Sequence, residues 1–476
     1  YHSIIKRIYL CISGFSSTDT PINPLDDLAG RFTRFHLCFQ VHFQNATRSV
    51  IEPVGHYLKG LMQADPNKKN MERMEERVPN ADEQQLQHML SDSPWGHQAV
   101  MDQVALEADG LLGGTRNSCL LIDESGFKKS GKFSVGVSRQ WCGRLGKVEN
   151  CQVGVFAALG RDRRVTLVNE RLYLPEKWAS DRQRCEQAGI PEEFRVFKTK
   201  VALALEMVEH QRRIGVRFAW LGADGFYGND PAFLRGVAAM DETFVVDVHC
   251  DQRIFLEDPK PTVKKKKGKR GKKPTKLEAN APAIRVDQWL SEQPGEAWKR
   301  VKVRDSSRGE LEVDVVHRRV WLWDHEETEA PCWHLIVRRE PNAPKELKYT
   351  LSNAPEETPI ARLAEMQAQR YWVERALQDG KSECGMADYQ VRKWRAWHHH
   401  MALVFMAMLF MLEERISAKD THPLLSCSDI EELLRHFLPK RVVTQDDVLE
   451  QMNKRHKKRL TSIQFHYAKQ GIALLE

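Results

Sequence analysis

Between residues 115 and 250 the apolar positions fall in short runs bounded by glycine, proline or acid. Ser118-Cys-Leu-Leu-Ile, Val153-Gly-Val-Phe-Ala-Ala and Arg164-Val-Thr-Leu-Val-Asn-Glu-Arg-Leu-Tyr-Leu read as strands. So do Val216 to Ala223 and Thr243-Phe-Val-Val-Asp-Val-His. Their length and β-branched content suit a sheet better than a helix. Val201-Ala-Leu-Ala-Leu-Glu-Met-Val-Glu-His carries the helical period instead. Strands first, then strand–helix–strand alternation, predict a mixed sheet flanked by helices: an α/β core, α+β overall.

The flanks read differently. Residues 26 to 110 are polar and helical, and Gln85-Leu-Gln-His-Met-Leu-Ser-Asp-Ser-Pro is an amphipathic stretch stopped by proline. Residues 251 to 355 interrupt the alternation with short strands such as Val320-Trp-Leu-Trp-Asp and Trp333-His-Leu-Ile-Val. From about 359 helices return, and a polar helical tail follows from about 418. The expected organisation is a helical DNA-binding segment over 1–110, a first half of the core over 111–250, and a β-rich insertion over 251–355. The second half of the core occupies 356–415, and a helical C-terminal region 416–476.

Charge changes this picture locally. The net charge is +7, but nine Lys or Arg and no acid lie between Lys264 and Lys276, and removing them leaves −2. The run Lys264-Lys-Lys-Lys-Gly-Lys-Arg-Gly-Lys-Lys273 is either a solvated loop or a contact for a phosphate backbone. Arg48, Lys59, Lys68, Lys69, Arg73 and Arg77 spread further positive charge through the helical N-terminal region, which could grip DNA. The ten cysteines are scattered and none forms Cys-x-x-Cys, a pattern that fits a reducing cytoplasm. The longest apolar run, Met401 to Leu412, is a core helix rather than a membrane span. Tyr1 to Ile8 has neither an initiating Met nor a signal-peptide layout, and carries no weight here.

Three carboxylates carry the chemistry. Asp123 and Asp224 each end an apolar run with Gly close behind, which places a charge at the rim of a sheet. Glu374 sits on a later helical stretch, Gln367-Ala-Gln-Arg-Tyr-Trp-Val-Glu-Arg-Ala-Leu-Gln-Asp-Gly-Lys381. On one continuous helix Gln367, Arg370, Glu374 and Lys381 fall within about 60° of arc, with Met366, Val373 and Leu377 as the adjoining apolar stripe. Two Asp residues on neighbouring strands and a Glu from a helix could hold a pair of Mg²⁺ ions about 3.5–4 Å apart and act on a phosphodiester. Lys128 and Lys129 could neutralise phosphate beside Asp123. Glu124 and Asp247 are candidates for supporting groups. His398, His399 and His400 are consecutive and point about 100° apart on a helix, so packing or DNA contact suits them better than one shared ion.

Together these residues resemble a DDE transposase of bacterial insertion sequences, in the group marked by a Tyr-(2)-Arg-(3)-Glu-(6)-Lys signature. Arg370, Glu374 and Lys381 fit that spacing. The likeness extends to Ile122-Asp-Glu-Ser-Gly-Phe-Lys-Lys-Ser-Gly131, Lys147-Val-Glu-Asn-Cys-Gln-Val-Gly-Val, Ala223-Asp-Gly-Phe-Tyr-Gly and Asp388-Tyr-Gln-Val-Arg-Lys-Trp-Arg-Ala-Trp-His, and spans roughly residues 30 to 415. One position departs from it: Gln367 stands where the signature has Tyr, a residue that in the family contacts the DNA backbone, although its amide could still donate to a phosphate.

The resemblance implies a ribonuclease-H-like core interrupted by a β-rich insertion. It also implies two Mg²⁺ or Mn²⁺ ions on Asp123, Asp224 and Glu374, with Arg370 and Lys381 on phosphates. The partners it implies are double-stranded DNA, as element ends and as target, and a second copy of the chain in the DNA complex. The setting is a bacterial cytoplasm, at the nucleoid, with no membrane. Some relatives stack a flipped base on a tryptophan of the insertion, for which Trp321, Trp323 and Trp333 are candidates by location. The same core would also serve a structure-specific nuclease that does not join ends. A DNA-binding derivative without catalysis is a third reading, against which the intact triad argues.

Overall fold

The computed structural model describes residues 26–44, 49–66, 68–263, 275–306 and 309–469. The Lys264–Lys273 run and Arg48 lie outside them.

Among the described residues five α-helices precede the sheet: α1 (Leu28–Phe35), α2 (Ile51–Gln63), α3 (Met71–Arg77), α4 (Glu83–Ser91) and α5 (His97–Leu112). Asn70 and Asp82 start α3 and α4 by accepting the backbone N–H groups of Arg73 and Gln85, which removes one orphan donor from each helix end. Of the basic residues of this region, Lys69 is spent inside the fold, whereas Lys68 and Arg77 are exposed. Lys69 is buried, with Nζ 3.1 Å from Glu431 and its backbone N–H on Asp388. Arg73 pairs with Glu76, and Arg77 reaches toward Asp65.

The sheet begins with β1 (Ser118–Lys128), β2 (Ser138–Cys142), β3 (Lys147–Arg161) and β4 (Arg164–Leu172), where β3 pairs antiparallel with the other three. Helix α6 (Lys200–Ile214) crosses to β5 (Trp220–Ala223), which lies parallel to β1. Thr199 caps α6 at its start, and Gly215, at φ 98°, ends it in a conformation that glycine takes without a Cβ clash. Helix α7 (Pro231–Ala239) crosses to β6 (Phe244–Val248), parallel to β5. The order β4–β3–β1–β5–β6, three antiparallel strands followed by two parallel ones, is ribonuclease-H-like. Ser118 to Ile122 are all buried, as a strand covered on both faces requires.

The segment after β6 extends this sheet. β7 (Arg253–Phe255), β10 (Ala283–Arg285), β11 (Lys299–Ser306), β12 (Gly309–Trp321), β13 (Cys332–Glu340) and β14 (Ala343–Ser352) join it through the pairing of β14 with β6. β8 (Thr262–Val263) and β9 (Leu277–Glu278) form a separate ribbon. Trp333 packs edge-on against Phe244, and Trp323 lies beside Phe255 and His325.

Helices α8 (Ile360–Gln369) and α9 (Tyr371–Ser382) follow, then α10 (Trp394–Ser417), α11 (Cys427–Phe437) and α12 (Gln445–Lys469). Val303, Val313, Val315 and Ile336 of the extension pack against Leu363, Ala364 and Ala368 of α8. Helix α10 is apolar on every side from Met401 to Leu412 and buried throughout that run, which marks a core helix. Among the described residues no helix is long and apolar enough to cross a membrane. The three histidines of α10 diverge as their spacing requires. His398 Nδ1 meets Glu170 at 2.5 Å, His399 stacks on Trp95, and His400 bonds the Tyr57 hydroxyl.

Three expectations are corrected. Asp123 does not end its strand, because β1 stays paired with the long β3 as far as Lys128, and only the parallel pairing with β5 stops at Ile122. Val216–Ala219 lies outside the strand, because Arg217 is tied by its N–H and Nε to Asp109. The stretch from Gln367 to Lys381 is not one helix: α8 ends at Gln369 and α9 starts at Tyr371, with Arg370 at the joint. No proline or glycine announces that break. It coincides with the tether of the Arg370 side chain to Asp247.

Candidate active site

β1 and β5 bring the two aspartates together. Their register pairs Ile122 with Ala223, so Asp123 and Asp224 occupy the next rung of parallel strands about 4.8 Å apart. Each aspartate is fixed by the backbone. Asp123 Oδ1 accepts the Glu124 N–H at 2.7 Å. Asp224 Oδ1 caps the short helical turn Gly225–Gly228 by accepting the Phe226 N–H at 3.1 Å. Burial, and then the charge of Asp224, pushes the Asp123 carboxyl up to about 7. Burial raises Asp224 too, against the pull of Arg370. Two carboxylates raised by burial, one of them also by its neighbour's charge, form a site short of positive charge.

Arg370 supplies the nearest positive charge. Its Nε lies 2.6 Å from Asp247 Oδ2 and its Nη1 3.1 Å from Glu374 Oε1. Burial alone would lower its pKa, but Asp247, Glu374, Asp123 and Asp224 together raise it. Glu374 is half-exposed on the first turn of α9. The structure therefore gathers Asp123, Asp224, Arg370 and Glu374. Lys381 lies seven residues after Glu374 on α9, roughly 10 Å along the axis, with Nζ 5.8 Å from the Phe127 ring centroid.

Three other expected residues stand elsewhere. Gln367 is buried on α8, where its amide donates to Thr350 Oγ1 rather than facing solvent. Thr350 Oγ1 in turn donates to Asp247 Oδ1 at 2.9 Å, so Gln367 supports the carboxylate that holds Arg370. Lys128 and Lys129 are five and six residues beyond Asp123, some 17 Å or more along the strand. Lys128 points toward Glu149, and Lys129 Nζ sits 3.4 Å over the Tyr389 ring, where burial lowers it to about 8. The strand runs away from the aspartates, so neither lysine stands beside Asp123.

Other groups join the site. Glu124 pairs with Lys200 at 2.6 Å, and its charge also reaches Asp224. The Tyr227 hydroxyl is buried without a hydrogen-bond partner among the described residues, in the field of Glu124, Asp123 and Asp224. Glu124 and Asp247 are visible in sequence as acids in strand-like runs. Lys200, Tyr227 and Thr350 carry no such signal, since their relevance comes from tertiary packing of a helix start, a helical turn and a paired strand.

The donor set fits a divalent cation. Its donors are hard carboxylate oxygens, and Asp123 Oδ2 has no partner among the described residues. Among those residues no three His, Cys, Asp or Glu side chains are grouped tightly enough to surround one ion. Glu374 is held by Arg370 instead of by the aspartate pair.

Gly228 sets how closely the Asp224 turn lies on β6. A Cβ there would fall 1.9 Å from the Asp247 carbonyl oxygen. Gly228→Ala must move the turn or the strand, and with them Asp224 or Asp247. The expected cost is about 1–3 kcal/mol in urea unfolding; a variant as stable as wild type would show that the turn is free to move.

A family model described as DDE superfamily endonuclease matches residues 38–310. The probable transposase for insertion sequence element IS701 of Microchaete diplosiphon is 23% identical over 335 residues, 69% of this chain and 74% of that protein.

Proposed function

Because the chain belongs to the DDE superfamily of endonucleases, we propose that it is a transposase that cuts DNA at the ends of its own mobile element and joins them to target DNA. The observation that carries the reading is the register that sets Asp123, within β1, beside Asp224, which directly follows β5, with both faced by Arg370 and Glu374. The printed name of the IS701 relative favours joining over cutting alone.

In this reading Asp123, Asp224 and Glu374 hold two Mg²⁺ or Mn²⁺ ions, which when bound activate the attacking oxygen and stabilise the leaving one. Arg370 uses Nε on Asp247 and Nη1 on Glu374. Its Nη2 remains to meet a phosphate oxygen near the scissile bond, in the fork geometry that suits phosphate. Asp247, braced by Thr350 and Gln367, keeps that fork in place. Lys381 adds charge farther along α9. The substrate is double-stranded DNA, as element end and as target, and two copies of the chain act in the DNA complex, in the bacterial cytoplasm at the nucleoid.

The test is a duplex carrying the inverted repeat that flanks the coding region, incubated with the full chain in Mg²⁺. Nicking at the repeat boundary, and none in a scrambled duplex, is the expected result. Equal cutting of both would contradict action on its own ends.

A further inference from the structure

Next to the carboxylates lies a cluster of opposite sign. Arg338 on β13 is 7% exposed, and its guanidinium makes no hydrogen bond or ion pair with a described residue. Arg304 on β11 has its Nε buried without a hydrogen-bond partner among the described residues. Its guanidinium carbon stands 5.0 Å from the centroid of the Trp372 ring, at the start of α9.

The register places Arg338 on the active-site face. Ile336 pairs with Thr350, and Thr350 with Asp247. Arg338 is two residues from Ile336 and so points to the same side of the sheet. Burial lowers the pKa of Arg338, and Arg370 and Arg304 lower it further, against Asp247 and Glu340. Burial also lowers Arg304, and so does the charge of Arg163. The nearest acid, Asp247, is already engaged by Arg370. A buried guanidinium and a partly buried one, neither with a carboxylate partner among the described residues, weigh against folding. They make sense as a preformed receptor for an anion that arrives with a partner molecule, because each fork can take two oxygens of a phosphate.

We propose that Arg338 and Arg304 form a phosphate clamp that grips the substrate DNA strand at a phosphodiester neighbouring the one met by Arg370. This rests on the DNA-cutting reading above. Trp372 backs the Arg304 guanidinium. The β-rich extension would thus hold the strand while β1, β5 and α9 act on it.

The full chain and the variants Arg338→Met, Arg304→Met and their combination are titrated onto a short fluorescent duplex across a range of KCl concentrations. Each substitution should reduce the slope of log affinity against log salt by about one unit. The melting temperature should hold or rise, because the deleted charge has no partner in the free protein. Arg338→Lys should recover part of the slope. Slopes equal to wild type in both single variants would overturn the clamp, and so would a lowered melting temperature with an unchanged slope. A wild-type chain that binds no duplex at any salt concentration would sink the DNA reading itself. Wild-type binding with slopes that ignore both arginines would sink the clamp alone.

Discussion

Asp123→Asn and Asp224→Asn are each expected to lower strand cleavage by roughly a thousandfold or more, the scale of losing a preorganised charged group from an active site, while DNA binding persists. The separation follows from where the charges sit. The two aspartates are fixed by backbone N–H groups, Asp123 within β1 and Asp224 just after β5, and DNA affinity comes mostly from cations that contact phosphates. Glu374→Ala should have the same effect from the α9 side. A readout independent of catalysis exists. Burial raises both aspartates and the charge of Asp224 raises Asp123 further, so a divalent cation bound between them relieves repulsion and stabilises the folded state by mass action. Mg²⁺ or Mn²⁺ should raise the melting temperature of the wild-type chain, and Asp123→Asn should abolish the rise. Near wild-type cutting by any one of the three variants would remove that residue from the ligand set.

Arg370→Ala is expected to damage both stability and cleavage, and Arg370→Lys to separate the two. Alanine leaves Asp247, Glu374, Asp123 and Asp224 without the cation they share. Breaking a fully buried pair costs about 3–5 kcal/mol. Here water reaches Glu374, whose side chain is 51% exposed, so a loss of about 2–3 kcal/mol is expected. Lysine keeps the charge and should recover most of that loss. It cannot reach Asp247 and Glu374 from two edges of one plane and still offer a third nitrogen to phosphate. Single-turnover cleavage by Arg370→Lys should therefore stay at least tenfold below wild type while its unfolding free energy returns to within about 1 kcal/mol. Full-rate cleavage by either variant would take this residue out of the active site.

Much of the core is legible from short-range pattern. The runs at 118–122, 153–158, 164–172 and 244–248 are strands because their apolar positions cannot all be covered by one helix face, and the helix at 200–214 follows from its period and from Gly215. The strand-end position of Asp224 is likewise readable from the Gly behind it, whereas Asp123 lies inside β1, which stays paired with β3 through Gly126 to Lys128. What the pattern does not carry is pairing. Only register shows that β14 adds the insertion strands to the core sheet, or that Thr350 links Gln367 to Asp247. The break at Arg370 has no local breaker and shows only in the tertiary bond to Asp247. For the same reason one helical wheel places Gln367 beside Glu374, whereas the structure turns it inward. Lys69 illustrates a further limit: among the basic residues of the N-terminal helices it looks like a surface charge, yet it is fully buried against Glu431.

The central claim is that Asp123, Asp224 and Glu374 are one catalytic set for cutting and joining DNA. It is tested most directly by strand transfer from a pre-cut duplex that carries the flanking inverted repeat and ends in a 3′-OH. With Mg²⁺ and a supercoiled plasmid target, the wild-type chain should covalently join the duplex to the plasmid, and Asp224→Asn should bind the duplex equally well and join none. Joining by Asp224→Asn at the wild-type rate, or a wild-type chain that binds the ends and never joins them, would contradict the account.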